Sequence, residues 1–164
     1  MPVKLVLISD THLRSAARLP APLEAAIDNA DLVIHAGDFV SPDFYDSLIQ
    51  RKPLVCALGN CDQGTLGDRV PEIGEKIVLG HRIGVIHGWG SPRDLVEKIA
   101  KRIDCSKYAM VVFGHSHLAE IRGHAGTLFV NPGSPTEKRF APHCTYVEVE
   151  VTEEGIGAPR IVEL

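Results

Sequence analysis

Three apolar runs, VKLVLIS at 3–9, DLVIHAGD at 31–38 and PLVCALGN at 53–60, are separated by two segments of helix-forming composition. APLEAAIDNA at 21–30 is rich in alanine, leucine and glutamate. SPDFYDSLIQ opens on an N-cap serine, Ser41, with Pro42 at the first helical position. The order strand, helix, strand, helix, strand predicts βαβ units on a parallel sheet, and ligands of such sheets gather at the carboxyl ends of the strands. Asp10, Asp38 and Asn60 fall at those ends.

Beyond residue 68 the pattern changes. EKIVLGHRIGVIHG reads as a hairpin turning at Gly80, and SPRDLVEKIAKRI at 91–103 as a helix with a Ser91–Asp94 capping box and Pro92 in its first turn. Strands are expected at 109–113, 118–123, 127–130, 143–151 and 159–163, which makes two sheets a better expectation than one. The 164 residues are 45% apolar and 23% charged, without repeats, so one ordinary globular domain spanning 1–164 is expected. A net charge of −4 with no Lys/Arg cluster argues against a stable nucleic-acid complex. KLVLIS is too short for a membrane span or secretory core, and four cysteines without CxxC spacing indicate reduced thiols, so a cytoplasmic location is expected.

Five predicted strand ends carry one kind of chemistry: SDTH (Asp10, His12), AGD (Asp38), LGNCD (Asn60, Asp62), VIHG (His87) and FGHSH (His115, His117). Carboxylate, imidazole and amide oxygen are ligands that manganese, iron, zinc and nickel accept. Taken singly, an Asp after a strand is more often a turn former or cap, and a lone histidine more often structural. The i, i+2 spacing of Asp10 with His12 and of His115 with His117 would aim each pair one way on extended backbone. His35, alternating with apolar neighbours, reads as a satisfied core histidine, and Ser9 and Ser116 as hydrogen-bonding residues. Trp89 reads equally as a pocket wall or as core.

In this order DTH, GD, GNCD, HG and GHSH resemble the signature of the calcineurin-like metallophosphoesterase superfamily, and the small size is most similar to its single-domain prokaryotic phosphodiesterases. The resemblance runs from Val3 through NPGS at 131–134 to the closing strands. It implies an α+β, four-layer αββα sandwich of two mixed sheets with a dinuclear metal site at the strand ends. One ion would be held by Asp10, His12, Asp38 and His117, the other by Asp38, Asn60, His87 and His115. Asp38 would bridge them through its pair of oxygens. Manganese is the first choice of metal, with iron, zinc or nickel compatible. A hydroxide bridging two such ions, roughly 3.5 to 4 Å apart, would attack the phosphorus of a small phosphodiester. Two dications, two carboxylates and one hydroxide leave about one positive charge for the ester.

Cys61 departs from the commoner superfamily motif, in which a histidine after GN protonates the leaving group. Cys61 is therefore a candidate catalytic residue and a weak acid at best, and a buried apolar filler is the preferred reading of it. Asp62, which would orient that histidine, is left without a clear role, and His124 and His143 are the remaining candidate proton sources. The competing function is a binding scaffold, because a subunit of the retromer sorting coat resembles this fold. A phosphomonoesterase or nuclease of the same superfamily is a further alternative, and exposed strand edges would allow a homo-oligomer.

Overall fold

A computed structural model describes all 164 residues. The strands are β1 (Val3–Ile8), β2 (Leu32–His35), β3 (Leu54–Cys56), β4 (Ile73–Val78), β5 (His81–Ile86), β6 (Met110–Phe113), β7 (Glu120–His124), β8 (Thr127–Asn131), β9 (Thr145–Thr152), β10 (Gly155–Ile156) and β11 (Arg160–Glu163). The helices are α1 (Ala21–Asn29), α2 (Pro42–Arg51), α3 (Gln63–Leu66) and α4 (Leu95–Arg102).

Two mixed sheets result. In the first, β1, β2 and β3 run parallel, β9 joins β1 antiparallel, and both β10 and β11 pair with the far edge of β9. In the second, β5, β6 and β8 run parallel between antiparallel β4 and β7. Alternation along each strand explains why the sheets stack. Leu5 and Leu7 of β1 face Val85, Met110 and Val112 of the second sheet in one core, whereas Val6 and Ile8 face Leu23, Ile27, Phe44 and Leu48 of α1 and α2 in another. A third core sets Leu95, Val96 and Ile99 of α4 against Val111, Phe113 and Phe129. Helix, sheet, sheet, helix is the expected four-layer sandwich, and strands buried on both faces need the near-continuous apolar runs seen in the sequence.

Several boundaries differ from the sequence expectation. The runs at 31–38 and 53–60 leave the ladder at His35 and Cys56, because the chain must turn there to present Asp38 and Asn60. The hairpin turns as expected, with Leu79 and Gly80 both at positive φ, as a two-residue connection requires. The helix expected from Ser91 begins at Leu95. Asp94, in the left-handed conformation, forms no side-chain cap, and Ser91 Oγ instead accepts from Arg93 N–H at 3.3 Å. The Ser91–Asp94 capping box is therefore absent.

Candidate metal centre

The segments after β1, β2, β3, β5 and β6 meet at one end of the sandwich. Asp10, His12, Asp38, His115 and His117 all have positive φ, between 46° and 95°. The expectation that extended backbone aligns each i, i+2 pair is thus wrong. The pairs converge because left-handed residues swing the chain round just past the strands, at a cost of order 1 to 3 kcal/mol each. Neighbouring segments hold these conformations. Asp10 N–H donates to Gly37 O at 2.9 Å, His12 N–H to Asp38 O at 3.0 Å, and His115 N–H to Asp10 Oδ2 at 3.0 Å. Gly114 is required at this crossing, since a Cβ there would lie 1.9 Å from Ser9 Oγ.

Each carboxylate is divided between a structural oxygen and a free one. Asp10 Oδ2 accepts from Ser9 Oγ at 2.7 Å as well as from His115 N–H, whereas Oδ1 is buried without a hydrogen-bond partner, 3.4 Å from His117 Nε2 and 3.7 Å from His87 Nε2. Asp38 Oδ1 accepts from Cys61 N–H at 2.8 Å, leaving Oδ2 to face His12 Nε2 at 3.5 Å and His87 Nε2 at 3.4 Å. One oxygen of Asp38, rather than the expected pair, is directed at the histidines.

The histidines are oriented in the same way. His87 Nδ1 bonds to Ala36 O at 2.6 Å, His117 Nδ1 to Glu137 O at 3.3 Å, and His115 Nε2 to Gly90 O at 2.7 Å. A backbone carbonyl accepts only from N–H, so the opposite nitrogen of each ring is an acceptor aimed into the site. Asn60 Oδ1 lies 3.1 Å from His87 Nε2 and 3.3 Å from His115 Nδ1. Asp10 Oδ1, His12 Nε2 and His117 Nε2 are buried and unsatisfied. Ligands held about 2.1 Å from a shared cation are separated by these distances. Asp10–His12–His117, Asp10–Asp38–His87 and His12–Asp38–Cys61 each bring their ligand atoms within 4.8 Å of one another. The donor set therefore fits divalent cations.

Electrostatics reinforce the arrangement. Burial works to raise the Asp10 carboxyl, but His117, His87, Ser9 and the His115 N–H outweigh it and hold the group below its ordinary range. Asp38 is held low against burial by His87, Cys61 N–H and His12. Burial would lower His87, yet Asp38 and Asp10 raise it. His35 behaves oppositely: burial lowers it to about 3. It is neutral, accepting from Gly37 N–H on Nδ1, bonding Thr11 Oγ1 on Nε2 and stacking on Phe39 at 3.7 Å, as a satisfied core histidine should.

The sequence reading left other contributors unassigned. Asp62 is fully buried and accepts from Asp38 N–H (2.8 Å), Val40 N–H (2.8 Å) and Gly59 N–H (2.9 Å), so it braces the turn bearing Asp38. Its position two residues after Asn60 was the available signal. NPGS ties two site loops together, since Asn131 Nδ2 donates to Ser116 Oγ at 2.9 Å and Ser134 Oγ to Asp10 O at 2.7 Å. Cys61 is exposed, which overturns the buried-filler reading. Burial of its thiol, Asp38 and Asp62 push its pKa up to about 11. His124 ends antiparallel β7, at the opposite end of the sheet from the site, and His143 faces Glu163 at 3.8 Å. Trp89, 39% exposed, walls a cavity of about 340 Å³ with Asn60, Gln63, His87 and Arg102. A groove of about 700 Å³ between α1 and β9 contains none of the candidate ligands.

Comparison with known proteins identifies the family. The calcineurin-like phosphoesterase superfamily domain matches residues 3–154. A probable metallophosphoesterase of Methanothermobacter thermautotrophicus is 33% identical over 135 residues, covering 81% of this chain and 77% of the relative. A Thermotoga maritima protein solved in solution is 29% identical with a TM-score of 0.74, over 99% of both chains. Two more distant structures share the fold. An archaeal phosphodiesterase is 20% identical (TM-score 0.68, 99% and 100% covered), and zinc-complexed Vps29 of Entamoeba histolytica is 18% identical (TM-score 0.73, 99% and 98% covered). No helix is long and apolar enough to cross a membrane. The chain belongs to the calcineurin-like phosphoesterase superfamily.

Proposed function

We propose that this protein is a metal-dependent phosphodiesterase that holds two divalent cations, manganese by preference, between Asp10, His12, Asp38 and His117 on one side and Asp38, Asn60, His87 and His115 on the other. The observation that carries the reading is the set of buried ligand atoms without partners, Asp10 Oδ1, His12 Nε2 and His117 Nε2, which face one point. Buried polar groups of this kind are costly unless something binds them. When bound, the cations supply positive charge to phosphoryl oxygens and activate water at neutral pH.

The chain's own residues orient and protect this chemistry. Asp38 Oδ2 would be the atom offered to both cations, and it is fixed because Cys61 N–H holds Oδ1 and Asp62 holds the Asp38 backbone. Ala36, Gly90 and Glu137 carbonyls keep a proton on the outer nitrogen of His87, His115 and His117, so their inner nitrogens stay available. The cavity beside Asn60 and His87 gives room for a second ester substituent, which a monoester lacks. The single residual positive charge counted above matches the single negative charge of a diester. Burial and the Asp38 carboxylate push the Cys61 thiol up to about 11 in the metal-free protein, which makes it a poor acid for a difficult leaving group. Esters with good leaving groups are the favoured substrates. The free thiols at Cys56, Cys61, Cys105 and Cys144 suit a cytoplasmic setting.

The test is an assay of metal-stripped protein, with single cations added back, against 4-nitrophenyl phosphate and bis(4-nitrophenyl) phosphate. Manganese should restore diester cleavage above monoester cleavage. A protein that takes up stoichiometric metal and cleaves neither ester would instead be a scaffold.

A further inference from the structure

The loop from Pro132 to Cys144 is fastened to the metal centre along its first half. Ser134 Oγ donates to Asp10 O at 2.7 Å, Thr136 Oγ1 to Thr11 O at 2.6 Å, and Glu137 O receives His117 Nδ1–H at 3.3 Å. The chain then turns, with Ala141 N–H donating to Lys138 O at 2.8 Å and Arg139 at φ 48° inside the turn. The two residues this turn presents are unusual for a surface loop. Phe140 is 96% exposed, although burying such a ring is worth about 1.5 to 3 kcal/mol. Arg139 Nε stands 3.9 Å from Glu137 Oε2, a loose ion pair beyond hydrogen-bond length, so its N–H donors are not committed to that carboxylate. The same Glu137 Oε2 lies 3.8 Å from His117 Nδ1, so Arg139 stands one carboxylate away from a ligand histidine of the site.

A cation held only by a loose ion pair and a bare aromatic ring are thus anchored beside the cluster of candidate ligands. We propose that Arg139 binds a phosphoryl oxygen of the substrate and that Phe140 packs against an aryl or similarly planar ester substituent, so that the loop selects aromatic phosphodiesters. The inference rests on the phosphodiesterase reading and deepens it. A guanidinium presents a fork of donors that matches phosphate and stays charged at any working pH. Arg139 therefore contributes charge and orientation but no proton. Its loss should weaken all substrates alike and leave the dependence on leaving-group pKa unchanged, whereas a new acid at Cys61 would flatten that dependence.

The experiment compares the manganese-loaded native protein with Arg139→Ala, Arg139→Lys and Phe140→Ala. Calorimetric binding of inorganic phosphate, dimethyl phosphate and diphenyl phosphate is measured beside the kinetics of bis(4-nitrophenyl) phosphate, with metal content checked throughout. Arg139→Ala should weaken all three ligands and raise KM by about 10-fold, the effect of one charge-assisted contact. Arg139→Lys, which keeps the charge without the fork, should recover part of that loss. Phe140→Ala should weaken diphenyl phosphate by about 5-fold, near 1 kcal/mol, and leave dimethyl phosphate unchanged. Unchanged phosphate affinity in Arg139→Ala overturns the assignment. Equal losses for both diesters in Phe140→Ala overturn the aromatic preference. A native protein that cleaves no diester refutes the phosphodiesterase reading by itself, and the binding comparison still decides for or against Arg139 and Phe140.

Discussion

Two sides of the candidate metal centre differ in burial. Asp10, Asp38, His87 and His117 are buried, and each has one polar atom fixed by a hydrogen bond and another left free for a ligand. Asn60 and Cys61 are exposed and His115 is half-buried, with a single carbonyl, Gly90 O, holding its ring. Strained backbone occurs on both sides, at Asp10, Asp38 and His117 and also at His115, so what separates the two is burial. The rim is open to solvent. If the centre holds the two cations proposed above, this division predicts that one binds firmly and the second more weakly, with substrate entering from the weaker side.

The largest effect should come from the atom common to both sides. Asp38→Asn removes the carboxylate that faces His12 and His87, and diester hydrolysis should fall by at least about 10³-fold, roughly 4 kcal/mol of barrier. Elemental analysis should show that bound metal is lost with it. His115→Ala probes the rim alone. One cation per chain should remain while the second is lost, and activity should fall by about 10². If both variants lost the same metal, the buried and exposed sides would be one cooperative unit and the division would be wrong.

A smaller effect, read in stability, separates support from ligation. Asp62 serves three backbone N–H groups and faces no candidate ligand atom directly. Asp62→Ala should destabilise the metal-free protein by about 3 kcal/mol, since each buried donor left unpaired costs about 1 to 3 kcal/mol. Thermal melting measures this. Removal of a rim group, as in Asn60→Ala, should leave the melting temperature of the metal-free protein nearly unchanged. Equal losses in the two variants would erase the contrast.

The same division marks what the sequence could reveal. Asp10, Asp38, His87, His115 and His117 were legible because metal-binding side chains after apolar runs are chemically conspicuous wherever a parallel sheet forms. Their conformations were not, because the left-handed turn at each ligand is set by contacts between segments distant in the chain, such as Gly114 against Ser9. Strand ends were overestimated at Ala36 and Ala57 for a related reason. Both are fully buried and so read as strand, yet they lie beyond the ladder. Ser91 and Pro92 carried a helix-start signal that the turn serving His115 overrode, Gly90 O being needed for the imidazole. Asp62 and Ser134 escaped because a carboxylate or hydroxyl that accepts or donates to backbone has no sequence pattern until the backbone is folded.

The smallest effect is a slope in pH, and it tests whether His35 belongs to the buried side as a neutral ring. Its folded pKa of about 3 lies below the unfolded value of about 6.5, so the contribution to stability is complete above about 6.5 and is lost as pH falls toward 3. Other groups of the site act elsewhere or with opposite sign. Asp10 and Asp38 have depressed pKa values, so they lose stability only as pH falls below the ordinary carboxylate range. His87 is raised, so its contribution is present below about 6.5 and declines as pH rises through its folded value. Between pH 6.5 and 4 the buried neutral imidazole of His35 should therefore dominate the site's share of the slope, adding up to about 1.4 kcal/mol per pH unit. Urea unfolding of the metal-free protein across that window should show this slope, and His35→Gln should reduce it while lowering stability at pH 7 through the lost bonds to Thr11 and Gly37. An unchanged slope in His35→Gln would show that the ring is not held neutral, and would remove His35 from the buried frame of the centre.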